Sequence, residues 1–173
     1  TFQPSLPYPL KNGFNLFFRP LVPVNLKQPV YEENGFTNAG FDLGDISVDL
    51  AVGKTFDNKW LGILGVFASL PTATDNRISS GQVLIGPELA YGRVGKWGTA
   101  IILLTQGWSV TANDEKGHTS VTGGQYIYNI NLRNAWQITG SPTFSYNHGA
   151  SDGNKFTFPI GTGIKKLVQL GKM

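Results

Sequence analysis

The chain has no cysteine, two histidines and few charges: 14% of its residues are charged, against about 25% in an average soluble domain. Without cysteine there can be no disulfide scaffold, thiolate metal site or cysteine nucleophile. Long apolar runs are missing too. The longest, Leu61 to Leu70, has ten residues, where a membrane-spanning helix needs about 20 and a tilted spanning strand about 9–11. Ten fits the strand. The shortage of charge calls for its own explanation, and a surface facing lipid supplies one. The net charge of +3 is small, and apart from Lys165-Lys166 the basic residues are scattered. No stripe that could track phosphates is visible, so nucleic acid is not an expected partner.

Turn chemistry is abundant, with Gly 22 and Pro 10 in 173 residues. Short and long connections take turns along the chain. The tight ones are Lys11-Asn12-Gly13, Phe56-Asp57-Asn58-Lys59, Val94-Gly95-Lys96 and Arg133-Asn134. Between them lie Leu26 to Asp45, Thr72 to Gln82, Ala112 to Val121, and His148 to Asn154. An up-and-down antiparallel sheet whose two ends face different surroundings produces this alternation. Trp60, Trp97 and Trp136 follow three of the tight turns, and Phe14 follows the other. Aromatics at one level of a sheet are what an interfacial girdle requires.

Nine strands are predicted, at 2–10, 14–25, 46–55, 60–71, 83–94, 97–111, 123–133, 135–147 and 155–168. Several alternate with a period of two. Ile46, Val48, Leu50 and Val52 oppose Ser47, Asp49, Ala51 and Gly53. Trp136, Ile138, Phe144 and Tyr146 oppose Gln137, Thr139, Thr143 and Ser145. Phe17 and Leu21 blur the second strand, and Ile101 to Leu104 leave the sixth without a polar middle. Pro20, Pro23, Pro87, Pro142 and Pro159 lie inside strands, where a missing N–H predicts bulges or kinks.

The predicted fold class is all-β, an antiparallel up-and-down transmembrane β-barrel, with residues 1–173 as a single domain. Single-chain bacterial barrels have even strand numbers, and Leu170-Gly171-Lys172-Met173 reads as the start of a further tight turn. Terminal strands are therefore expected to be missing, and the chain to be a piece of a longer barrel.

Chemistry is sparse. His118 and His148 fall in long connections, no Gly-x-Ser-x-Gly elbow occurs, and the loops at 113–119 and 151–154 lack the spaced oxygens of a calcium loop. No enzyme, metal site or cofactor is expected. The distinctive residues are charges in mid-strand: Arg19, Asp49, Glu88 and Lys165. If the apolar faces meet lipid, these four must point into a lumen, since a charge on the lipid face costs up to about 2–4 kcal/mol. There two acids and two bases would pair. Asn129, Asn131 and Gln137 occupy polar faces and join them as candidates to line a solute path.

The segments Leu43-Gly44-Asp45-Ile46 and Leu70-Pro71-Thr72-Ala73-Thr74-Asp75, followed by Gly86-Pro87, resemble a family of proteobacterial outer-membrane proteins. That family is labelled as transporters of the meta-pathway of phenol degradation. Phe2-Gln3-Pro4, Arg19-Pro20-Leu21-Val22-Pro23, Phe158-Pro159-Ile160-Gly161-Thr162-Gly163 and Leu170-Gly171-Lys172 fit the same pattern. Pro71, Thr72, Thr74 and Asp75 form its motif loop. Two departures stand: the family's further terminal hairpins are missing, and its Gly-Lys-Trp is replaced by Ile78-Ser79-Ser80-Gly81-Gln82. The resemblance implies a bacterial outer-membrane barrel with lipid around it and a small, hydrophobic or aromatic solute within.

Three functions are expected to compete. The first is a passive channel or solute-binding barrel. The second is a structural or adhesive barrel acting through Leu26 to Asp45, with Tyr31, Phe36 and Phe41 in that loop. The third is a soluble β-sandwich module whose surface aromatics bind sugar.

Overall fold

A computed structural model describes residues 2–32, 35–111 and 117–168. The expectations that fall on 112–116 and on Leu170-Gly171-Lys172 lie outside these. The chain is built of β1 (Leu6–Pro9), β2 (Asn15–Leu21), β3 (Val24–Asn25), β4 (Gln28–Glu32), β5 (Gly35–Ala39), β6 (Asp42–Leu43), β7 (Ile46–Thr55) and β8 (Trp60–Leu70). It continues with β9 (Leu84–Gly95), β10 (Gly98–Ser109), β11 (Ser120–Asn131), β12 (Trp136–Gly140), β13 (Thr143–Asn147), β14 (Phe156–Thr157) and β15 (Gly163–Lys166). Short 3-10 turns at Lys11–Gly13, Asn76–Ile78 and Arg133–Ala135 are the helical elements among the described residues.

The main sheet is an antiparallel meander, ordered β1-β2-β7-β8-β9-β10-β11-β12-β15, with β13 pairing β11 and β14. It is open: β1 and β15 do not pair. The nine positions across it correspond to the nine strands predicted. β12 and β13 keep one register against β11, Tyr128 facing Gly140 and Val121 facing Asn147, so they are one strand interrupted at Ser141-Pro142. β14 and β15 form the neighbouring strand, interrupted between Phe158 and Thr162.

Pro20, Pro87 and Pro142 break rungs of the ladder without shifting register, so the expected bulges are absent there, whereas the one expected at Pro23 is present. Phe2 and Val22 exchange two backbone bonds at 2.9 and 2.8 Å. Hydrogen-bonded and non-bonded pairs alternate in an antiparallel ladder, so Pro4 and Pro20 share a bonded rung and lose it together. Pro87 faces Gln106, and the pairing skips that rung between Thr105↔Glu88 and Trp108↔Ile85. A Cβ at Gly86 would lie 1.7 Å from the Gln106 carbonyl oxygen. Glycine there is what lets the freed carbonyl swing in.

Pro142 and Pro159 interrupt neighbouring strands, and two tyrosines bridge the gap. The Tyr126 hydroxyl donates to Pro159 O at 2.7 Å and that of Tyr128 to Gly161 O at 3.0 Å. Phe158 stacks on Tyr126 with ring centroids 5.5 Å apart.

Three tight turns close alike. The amides of Leu10, Phe56 and Leu132 donate to the carbonyls of Phe14, Trp60 and Trp136 at 2.8, 2.7 and 2.8 Å. Asn12, Lys59, Asn134 and Ala135 take positive φ there, a region asparagine tolerates better than most residues. In the fourth turn, Lys96 and Trp97 form the bend itself, so the next strand starts at Gly98 and not at Trp97.

The long connection from Leu26 to Asp45 is not an open loop. β4 pairs with β5 and β3 with β6, which continues the β2–β7 ribbon as a hairpin arm. Pairing steps by one residue between Leu21↔Ser47 and Val24↔Leu43, the signature of a bulge at the arm's base.

The two faces of the sheet are opposites. Leu6, Phe18, Leu50, Val66, Leu89, Ile102, Leu104, Ile138 and Ile164 share the convex face by register. Leu64 there is 66% exposed and Ile164 72%. Glu88, on the opposite face, is 2% exposed. Large apolar side chains are left open and a carboxyl is enclosed, the opposite of the usual distribution between surface and interior.

Candidate functional site

The concave face is where the mid-strand charges meet. Strand register places Arg19, Asp49, Glu88, Asn129, Asn131, Gln137 and Lys165 all on it. Arg19 and Asp49 are direct cross-strand partners, and Arg19 Nη2 lies 3.1 Å from Asp49 Oδ2. The same Nη2 donates to Glu88 Oε1, although β7 and β8 stand between their strands.

Two features allow that reach. Glu88 is aligned with Gly65 and Ala51 across β8 and β7, so nothing larger than a methyl group lies along its row. The strands also crowd there, since a Cβ at Gly65 would come within 2.5 Å of the Ala51 Cβ. Small inner-face residues let a sheet curl tightly. Phe67 compensates for the next glycines: its ring reaches over Gly107, where a Cβ would lie 2.9 Å away, and it pairs directly with Gly86.

One guanidinium thus serves two carboxyl groups. Its Nε is buried without a hydrogen-bond partner, as is Asn129 Oδ1, among the described residues. The cluster opens on a cavity of about 560 Å³, where Arg19, Asp49, Glu88, Thr105 and Gln125 are interleaved with Phe67, Leu103 and Ile127, Phe67 being the cross-strand partner of Asp49. A cavity of this size, with polar groups converging among apolar side chains, is within the range of small-molecule sites.

The other predicted residues stand apart. Lys165 faces Gln137 at the sheet's edge, is exposed, and has no ion pair among the described residues. The expected pairing of two acids with two bases is therefore one base with two acids. Gln137 Nε2 donates to Asn131 Oδ1 at 2.6 Å, and Asn131 Nδ2 to Lys96 O at 3.0 Å. That pair braces the turn end.

The motif loop has a different task. Thr72 Oγ1 accepts from the Ile46 amide at 2.9 Å and Thr74 Oγ1 from the Leu43 amide at 3.0 Å, while the Thr74 hydroxyl donates to Asp42 Oδ1. Pro71 leads into this strap directly after β8. Asp75 accepts from the Arg77 amide at 2.9 Å and pairs with its guanidinium, which holds the carboxyl down at about 2.

Sequence reasoning missed the centre of this strap, Asp45. Its carboxylate accepts from the Ala73 amide at 3.1 Å, the Ser79 hydroxyl at 2.9 Å and the Ser80 amide at 2.7 Å. Burial alone would raise its pKa, but the bonds from Ser80, Ser79 and Ala73 together lower it. Gln82, 1% exposed, then donates to Gly117 O and ties the strap to the next connection. The arm is clamped at its base.

Comparison with protein-family models, curated proteins and solved structures finds no match to the chain. Among the described residues no group of His, Asp and Glu is arranged to hold a metal, and no helix is long and apolar enough to cross a membrane.

Proposed function

We propose that this chain forms wall of a bacterial outer-membrane β-barrel whose concave face lines a passive path or binding site for small solutes. The observation that carries this reading is the inversion of the two faces, with Leu64 open to the surroundings and Glu88 enclosed. In lipid that arrangement is favourable on both counts. The resemblance of the motif segments to outer-membrane transporters points the same way.

Arg19, Asp49 and Glu88 would act as a polar constriction beside Phe67, Leu103 and Ile127. A solute with an apolar body and a polar handle matches that lining, which agrees with the hydrophobic or aromatic class suggested by the family. Asn131, Gln137 and Lys165 would line the turn-end mouth. No bond is made or broken; selection is by size and polarity. The free edges of β1 and β14–β15 need partners before such a wall could close, since unpaired backbone is not tolerated in hydrocarbon.

Refolding into detergent micelles tests the reading. The expected result is a compact β species that migrates differently on a gel before and after heating, and that gives conductance or solute binding in a bilayer. Stable folding in plain buffer without detergent would overturn it in favour of a soluble module.

A further inference from the structure

The convex face is not uniform. Over most of it the side chains form a continuous apolar surface, but along β10 a groove of about 340 Å³ is open, lined by Trp60, Tyr91, Ala100, Ile102, Tyr126 and Tyr128. It exists because the aromatics on either side lean away from β10. Tyr91 stacks on Trp60 of β8, with centroids 4.9 Å apart and planes 13° from parallel. Tyr126 and Tyr128 reach the other way, their hydroxyls engaged by the carbonyls of Pro159 and Gly161. Ala100 lies between them, opposite Tyr128 on one side and Arg93 on the other, and its small side chain sets the depth.

Arg93 sits at the turn-end mouth of the groove. Its guanidinium lies 5.6 Å from the centre of the Trp60 ring, and it has no carboxylate partner among the described residues. The same pairing recurs along this rim. Lys54 stands over Phe14 at 5.2 Å and Lys166 over Trp136 at 5.4 Å. Aromatic rings with basic groups beside them suit the boundary where acyl chains give way to phosphates.

We propose that this groove seats one anionic glycerophospholipid, with an acyl chain lying over Ala100 and Ile102 between the two aromatic pairs and the headgroup phosphate against Arg93. The proposal rests on the membrane reading above and deepens it. A hydrocarbon chain matches the lining, and the unpaired guanidinium supplies the charge complement at the end where the chain would leave the groove. Lys54 and Lys166 place the same phosphate level on either side. The tight-turn end then faces the phospholipid headgroups.

The full chain, extracted in detergent, would be titrated with phosphatidylglycerol or phosphatidylcholine and its retained lipid counted by native mass spectrometry. Phosphatidylglycerol is expected to be retained at a concentration about fivefold lower, the effect of one cation at an anionic lipid surface. Arg93→Gln should erase that difference while leaving the fold, read by circular dichroism, unchanged. Ala100→Phe should remove the retained lipid of either kind. Equal retention of both lipids by the unaltered protein, or unchanged retention in the Arg93→Gln variant, would overturn the lipid seat alone. A protein recovered outside the membrane fraction and stable without detergent would overturn the membrane reading and the seat together.

Discussion

The same strands present two faces that answer to different rules. On the convex face Leu64, Leu89 and Ile164 lie open without a polar partner. On the concave face, one residue along the chain, Arg19 divides its guanidinium between Asp49 and Glu88. Among the described residues neither face is packed against a second layer. What differs is how each satisfies its own chemistry: the concave face pairs the charges at its centre with one another, whereas the convex face leaves its apolar side chains open. A sheet built this way is specified by its solvent as much as by its contacts.

Substitutions can break that contrast from either side. Arg19→Ala should have the largest effect, because it strands two neighbouring carboxylates, one of them enclosed. Removing one partner of a buried ion pair costs about 3–5 kcal/mol. The loss should appear in urea unfolding from micelles, and Arg19→Met, which keeps the length, should not rescue it.

Leu64→Arg probes the other face. In a bilayer it should cost about 2–4 kcal/mol near the midplane, whereas an exposed site in water would tolerate it within about 0.5 kcal/mol. Vesicle refolding equilibria of this variant would separate the two media directly.

The smallest effect is expected at the arm. Asp45 and Asp75 both titrate below their ordinary range. Depressed carboxyls contribute stability that is complete above the unfolded pKa, near 4, and that is lost as pH falls through the folded one. For Asp75 the window runs from about 4 down to about 2. Protease cleavage within residues 26–45 should rise as Asp45, which holds the arm's base through Ala73, Ser79 and Ser80, gains its proton below the unfolded value, while the sheet's circular dichroism stays unchanged. Asp45→Asn should give the same cleavage at neutral pH.

Much of the sheet was legible in the sequence because a period of two is a local signal. The assignment of Arg19, Asp49, Glu88, Asn129, Asn131, Gln137 and Lys165 to one face follows from alternation alone, and the register agrees. Which of them touch was not legible. Arg19 reaches Glu88 across two intervening strands, and that depends on curvature set by Ala51 and Gly65, which no single-strand pattern encodes. Lys165 was grouped with the cluster by its face, but face says nothing of distance across the sheet.

The arm was hidden for a related reason. Leu26 to Asp45 reads as one long connection, yet the segment pairs with itself as a hairpin. Asp45 was visible only as part of a motif. An acid between a glycine and the first residue of a strand, with serines and threonines downstream, was the available sign that it would collect backbone amides.

The edge formed by β1 has a consequence for the protein outside its final setting. Leu10 donates to Phe14 across the first turn, so in an alternating ladder the even residues of β1 face β2 and the odd ones face outward. Two of those odd residues are Pro7 and Pro9, which offer carbonyls to a newcomer but no N–H. On the opposite edge, the Leu167 amide bonds to Ala135 O, which turns Ile164 and Lys166 outward with donor and acceptor both free. A second molecule meeting this sheet in water could extend it readily from one side only. Among the described strands of the main sheet, the prolines make β1 the poorer template for an added strand, because an edge short of donors pairs badly.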